Sequence, residues 1–212
     1  MAALRGIKAV VFDLGGVLID LHAAEARAEL IAKYGLPAQD FTRLVRSSFK
    51  SHPRSITELA MTGKTGTAEY LGAFFGRCTL KSADGLKDNR LSVVGQERPD
   101  VFAIVRQLKA AGLICCVLSN TVALHWEKLT APGAYPSLGI FDHVFASHLI
   151  GFAKPEAACF SYVAQALKMP MSECLLIDDT RVNVRSAEAT GWPAIQFKDA
   201  ASLRRDLSVL LP

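Results

Sequence analysis

The chain holds 212 residues, half of them hydrophobic and 21% charged, with 15 glycines and 9 prolines. That composition supports a packed core and excludes a disordered or fibrous chain; the length fits one large domain or a domain carrying an insertion. Twenty-four Lys and Arg against 20 Asp and Glu leave a formal charge of +4 with no concentrated basic stripe, which argues against a nucleic-acid partner. No apolar run approaches the ~18 residues that span a bilayer, so no membrane partner is expected.

The N-terminus imitates a signal peptide, with Arg5 and Lys8 ahead of AVVFDLGGVLI, but Asp13 interrupts the apolar run. It reads as a buried first strand, Lys8 to Phe12. No strand-like run follows between Leu21 and Leu91. Helices are expected around Ala23–Tyr34, Gln39–Ser48, Ser55–Met61 and Thr67–Phe75, separated by Gly35-Leu36-Pro37, His52-Pro53 and Gly63-Lys64-Thr65-Gly66. An all-helical block placed after a first strand is an insertion. The expected division is a core of residues 1–19 and 97–212 and a helical cap of residues 20–96, with crossings near Ile19–His22 and Gly95–Pro99.

Beyond the cap, Val101, Ile104, Val105 and Leu108 recur at helical spacing and Gly112 stops them. Phe160, Val163, Ala164 and Leu167 repeat the pattern, as do Leu203, Leu207 and Leu210. Between these lie apolar runs at Leu113–Leu118, His143–Ala146, Cys174–Ile177 and Ala194–Phe197. Continuous hydrophobicity is what a sheet covered on both faces requires. The fold class is therefore α/β: a doubly wound, mostly parallel Rossmann-like sheet. Five cysteines without a CxxC pair fit reduced, buried thiols in a cytoplasmic protein.

Chemistry-bearing residues gather where strands end, the ligand-binding edge of an open parallel sheet. Asp13 ends the first strand and meets Leu14-Gly15-Gly16. Leu113–Leu118 runs into Ser119-Asn120-Thr121, a hydroxyl with adjacent amides suited to a phosphoryl oxygen, or to a helix cap. Lys154 stands in Gly151-Phe152-Ala153-Lys154-Pro155. Cys174–Ile177 runs into Asp178-Asp179, like charges that need a cation or strong donors to stay ionised.

Taken in order, Phe-Asp13-Leu-Gly-Gly-Val-Leu, Leu-Ser119-Asn120-Thr, Gly-Phe-Ala-Lys154-Pro and Ile-Asp178-Asp179 resemble the four motifs of the haloacid dehalogenase superfamily. The downstream run from Asp178 through Asn183 and Ala187 to Gly191-Trp192 is also similar. The nearest likeness is to the group containing sugar-1-phosphate phosphatases and the phosphatase domain of soluble epoxide hydrolase. The resemblance implies a Mg²⁺-dependent phosphatase acting on a small phosphorylated metabolite. Asp13 would be the nucleophile that forms an aspartyl-phosphate. Mg²⁺ would be held by the Asp13 carboxylate, the Gly15 carbonyl and Asp179, with Asp178 assisting directly or through water. Ser119 and the Asn120 amide would bind phosphoryl oxygens, and Lys154 would neutralise charge.

One position departs from the pattern. Most phosphatases of the superfamily carry a second Asp two residues after the nucleophile, and here that residue is Gly15. Without it the leaving oxygen departs largely unprotonated or takes a proton from solvent, with Asp20, His22 and a cap residue as the candidate substitutes. The alternatives are a metal-independent dehalogenase, which the acidic pair argues against, and a binding module that kept the fold without turnover. Gly63-Lys64-Thr65 is not a P-loop, because Glu58 occupies the place of its first glycine. Lys64, His52 and Arg54 are candidate cap contacts to substrate; His125 and Trp126 read as packing or surface residues.

Overall fold

The computed structural model describes residues 4–50 and 52–211. Strand β1 (Ala9–Phe12) leads through β2 (Ile19–Leu21) into five helices: α1 (Ala23–Ala32), α2 (Ala38–Val45), α3 (Ile56–Met61), α4 (Thr67–Phe75) and α5 (Ala83–Leu91). The chain returns through β3 (Val94–Glu97) to α6 (Pro99–Ala110), β4 (Ile114–Ser119) and α7 (Ala123–Thr130). It ends with β5 (His143–Ala146), α8 (Ser147–Ile150), α9 (Ala157–Leu167), β6 (Cys174–Asp178), α10 (Arg181–Ala189), β7 (Ala194–Gln196) and α11 (Ala200–Asp206).

Five strands form one parallel sheet in the order β5-β4-β1-β6-β7. The two-residue alternation of a strand sends successive side chains to opposite faces. Val10 and Phe12 accordingly pack with Val101, Ile104, Val105 and Leu108 of α6 and with Leu203 of α11. Ala9 and Val11 face the other way, onto Phe160, Val163 and Leu167 of α9 and Ala187 of α10. Helices on both faces leave the carboxyl ends of β1, β4 and β6 as the open edge. This is the α/β arrangement the apolar runs imply.

Helices α1–α5 build an apolar cluster of their own from Leu30, Tyr34, Phe41, Tyr70, Phe74 and Leu86, joined by Val122 and Leu124 from the sheet side. Two features differ from the sequence expectation. Helix α5 was not anticipated, because ADGLKDNRL offers Leu86 as its one buried apolar side chain beside buried Asn89 and Arg90. The crossings near Ile19–His22 and Gly95–Pro99 carry β2 and most of β3, paired as an antiparallel ribbon that the sequence reading does not include. Several ends also move: α1 stops at Ala32, α2 at Val45 and α11 at Asp206, which leaves Leu210 in the turn beyond. Among the described residues no helix is long and apolar enough to cross a membrane.

Candidate active site

Asp13 follows β1 directly, and its backbone N–H donates to the Ile177 carbonyl at 2.8 Å, which ties the turn to β6. Its Oδ1 accepts from the Leu14 N–H at 2.7 Å and lies 3.0 Å from Lys154 Nζ. The Lys154 side chain has no solvent exposure and also reaches Asp178 Oδ2 at 2.6 Å. Buried ions need such partners. The Lys154 backbone is fixed as well: Asn120 Nδ2 donates to its carbonyl at 2.6 Å, and its N–H donates to Asn120 Oδ1 at 2.9 Å. The side chain of Asn120 thus holds the lysine, which leaves only its backbone amide for a ligand.

Asp178 is fully buried and saturated with donors. Besides Lys154, Thr180 N–H donates to Oδ1 at 2.8 Å, and Asn183 Nδ2 lies 3.1 Å from both oxygens. Asp179 is half-buried, with Oδ1 accepting from the Thr180 hydroxyl at 3.1 Å. Its other oxygen packs on Gly16, where φ is +83° and a Cβ would overlap the carboxylate. Two constraints therefore demand glycine at position 16.

Asp13, Asp178 and Asp179 each offer an oxygen within 4.8 Å of the others. At an effective dielectric of ~20, unit charges that far apart repel by about 3 kcal/mol per pair. Lys154 pairs with two of the three carboxylates, so with all three ionised the cluster has a formal excess of two negative charges. Burial pushes the Asp13 carboxyl up to about 7, with Asp178 and Asp179 pushing the same way against Lys154. Burial opposes the charge on Lys154, but Asp13 and Asp178 outweigh it and hold the ammonium above its ordinary range. Burial also raises Asp179.

A cavity of about 780 Å³ opens over this cluster. Asp13, Gly15, Ser119, Asn120, Lys154 and Asp179 reach its wall, and Asp178 lies beneath it. The structure thus gathers all seven residues singled out from the sequence. The other candidates fall elsewhere. Arg54 pairs with Glu156 at 2.7 Å, Lys64 borders a second, smaller cavity with His148, and His52 lines neither. Asp20 is taken by Arg98 at 2.6 Å and His22 packs against Gly95, so neither stands in for the acid missing at Gly15.

Sequence reasoning passed over other wall residues: Arg27, Thr57, Arg90 and, as a site residue, His125. Burial first, then the charge of Arg90, pulls His125 down to about 4, so the ring is neutral and its Nε2 donates to the Arg90 carbonyl at 2.8 Å. A single helical histidine carries no signal of that pairing. Asn183, five residues after Asp178, was visible only as part of a similar run of text.

A family model described as haloacid dehalogenase-like hydrolase matches residues 7–191, and the chain belongs to that family of hydrolases. Over 97% of its length it is 26% identical to a D-ribitol-5-phosphate phosphatase of Bacteroides thetaiotaomicron, covering 98% of that protein. It is 24% identical over 90% of its length to an (S)-2-haloacid dehalogenase of Pseudomonas putida, covering 85% of that enzyme. A family enzyme of Bacteroides thetaiotaomicron, solved with magnesium and inorganic phosphate, shares the fold at a TM-score of 0.76 and 21% identity, over 93% of this chain and 99% of that one.

Proposed function

We propose that this hydrolase is a Mg²⁺-dependent phosphomonoesterase acting on a small phosphorylated metabolite, with Asp13 as nucleophile. The observation that carries this reading is the cluster itself: three carboxylates around one buried lysine, with a formal excess of two negative charges when all three are ionised. Hard oxygen donors with that excess fit a divalent cation that keeps several waters. Asp13, Asp179 and the Gly15 carbonyl would hold Mg²⁺, while Asp178, already satisfied by Lys154, Thr180 and Asn183, supports them from beneath. When bound, the cation supplies positive charge that offsets the phosphoryl oxygens. The magnesium and phosphate in the related structure, and the phosphatase among the relatives, support the same assignment.

In the proposed reaction Asp13 attacks phosphorus, a P–O bond forms to its carboxylate, and the bond to the leaving alcohol breaks. The departing oxygen takes its proton from water, because Gly15 has no side chain to give one. Water then attacks the aspartyl-phosphate at phosphorus, which releases phosphate and restores the carboxylate. The Ser119 hydroxyl and the Asn120 amide orient the phosphoryl oxygens, and Lys154 keeps Asp13 and the incoming dianion from repelling one another. Positioning and electrostatics dominate such transfers.

A panel of phosphorylated metabolites assayed with Mg²⁺ and with EDTA, alongside 2-haloacids assayed for halide, tests the reading. Phosphate release should need Mg²⁺ and fall by at least about 10³-fold in Asp13→Asn. Halide release in EDTA, or phosphatase activity retained by Asp13→Asn, would overturn it.

A further inference from the structure

Arg90 lies in the last turn of α5 and is 5% exposed. Its Nε and Nη1 have no hydrogen-bond partner, and no carboxylate pairs with it among the described residues. Buried guanidinium groups are ordinarily paired, because the desolvated charge is otherwise uncompensated. The Phe74 ring, 5.1 Å from the guanidinium carbon, offsets only part of that cost. Arg90 forms part of the wall of the large cavity over Asp13.

A second orphan donor lines the same cavity. Thr57 of α3 is buried, and its hydroxyl has no partner among the described residues. Arg27 of α1 joins the wall, its guanidinium 5.6 Å from the Phe41 ring. Helices α1–α5 thus give this wall two cations and no carboxylate, set among Phe41, Val45, Met61 and Tyr70. A ligand that satisfies these groups carries an anionic acceptor on an apolar body. Guanidinium donors match a carboxylate in both charge and planarity.

We propose that Arg90 and Thr57 form a second anchoring point for the leaving group, so that the preferred substrate is a phosphate monoester of an apolar alcohol bearing a remote carboxylate. This rests on the phosphatase reading for the position of the phosphate. Arg90 and Thr57 act on recognition and touch no reacting atom, so their effect belongs in the ratio between substrates. Binding energy from a part of the substrate remote from phosphorus also helps position the reacting group.

The test uses aryl phosphates matched in leaving-group pKa, one with an ω-carboxyalkyl chain and one with an ω-methyl chain of equal length. In the wild type kcat/KM should favour the carboxylate ester at least about tenfold, as expected for one charge-assisted contact. Arg90→Met should bring that ratio to about one, Arg90→Lys should recover part of it, and Thr57→Val should lower it severalfold. A wild-type ratio near one would overturn the proposal, whatever the variants do. So would Arg90→Met lowering both esters equally, which is the mark of a structural role. Calorimetric binding of the corresponding ω-carboxyalkyl phosphonate separates the two readings. Arg90-dependent binding without ester hydrolysis would keep the subsite and sink the phosphatase assignment. Hydrolysis with Arg90-independent phosphonate binding would do the reverse.

Discussion

Lys154 is a cation with no solvent exposure standing between Asp13 and Asp178. Removing one member of a buried ion pair leaves the other charged and desolvated, at a cost of 3–5 kcal/mol in typical cases. Lys154→Met should therefore lower Tm by roughly 10 °C in a domain of this size, read by calorimetry, and also abolish phosphate release. An unchanged Tm would show that the carboxylates do not rely on the lysine. Gly15 is testable at the same scale. Its φ is not in the left-handed region, so strain does not forbid a side chain; that restriction falls on Gly16. A Cβ at position 15 would meet Leu21 Cδ1 at 2.9 Å, the end of an exposed side chain that can turn away. The wild type should cleave esters of acidic alcohols much faster than alkyl phosphates. Gly15→Asp should flatten that dependence, and a graded ester series measures it. General acids contribute ~10²–10⁴-fold, so the gain should be largest for alkyl esters.

What the sequence disclosed at this scale follows from how each residue works. Asp13, Ser119 and the Asp178-Asp179 pair stand where apolar runs stop, so position in the chain reveals them. Asn120 works on the backbone of a residue 34 positions away, which no local pattern records. Arg90 is polar in a polar stretch and is exceptional only because the fold buries it without a partner.

Among the elements, α3 depends on a reciprocal cap: Ser55 Oγ accepts from Glu58 N–H at 3.1 Å, and Glu58 Oε2 accepts from Ser55 N–H at 2.8 Å. The same fully buried carboxylate accepts from Phe49 N–H at 2.7 Å, which stitches the preceding loop to the helix. Glu58→Ala should cost about 2–3 kcal/mol, since charged hydrogen bonds vanish and two donors lose their partner. Faster proteolysis between α2 and α3 should accompany the loss. Helix α7 similarly grips the end of α5 and the start of β3. His125 holds the Arg90 carbonyl, and Lys128 Nζ holds the carbonyls of Leu91 and Val94 at 2.9 and 2.8 Å.

A folded-state value of about 4 for His125, below its ordinary 6.5, means the unfolded chain binds the extra proton between those limits. Stability from this group is complete above pH 6.5 and is lost as pH falls toward 4, by about 3 kcal/mol in all. The pH slope of unfolding in that window should shrink in His125→Gln, which keeps a donor for the Arg90 carbonyl. Equal slopes in the two proteins would show that His125 takes its proton without opening the contact. Strand ribbon β2–β3 was hidden from sequence reasoning because three or four residues carry too short a pattern.

For the whole molecule, residues 20–96 as a cap closing over the core remain a proposal, and the ties between the two parts say how it would move. On one side the β2–β3 ribbon joins them, with His22 N–H donating to the Val93 carbonyl at 2.9 Å and Tyr135 holding Gly95 at 2.8 Å. Paired strands swing together more readily than they fold apart. On another side an ion pair, Arg54 to Glu156 at 2.7 Å, bridges the cap loop and the start of α9, while α7 holds the end of α5 and Val122 and Leu124 join the cap's apolar cluster. The ion pair is partly buried, with side chains 22% and 31% exposed, and forms a latch that any opening during turnover would have to break. Closure over bound phosphate would exclude water, and release would need the latch to part.

Spin labels on Ala68→Cys in α4 and Gln165→Cys in α9 would report the separation. The five native thiols are buried, and burial raises Cys115, Cys116 and Cys159 to about 12, so labelling should be confined to the introduced sites. The distance distribution should be broad in the free protein and narrow with Mg²⁺ and vanadate. Arg54→Met should shift the free protein further toward the open distances. A single narrow distance under all three conditions would make the helical block a fixed wall, and substrate would then enter through the cavity mouth without any movement of the cap.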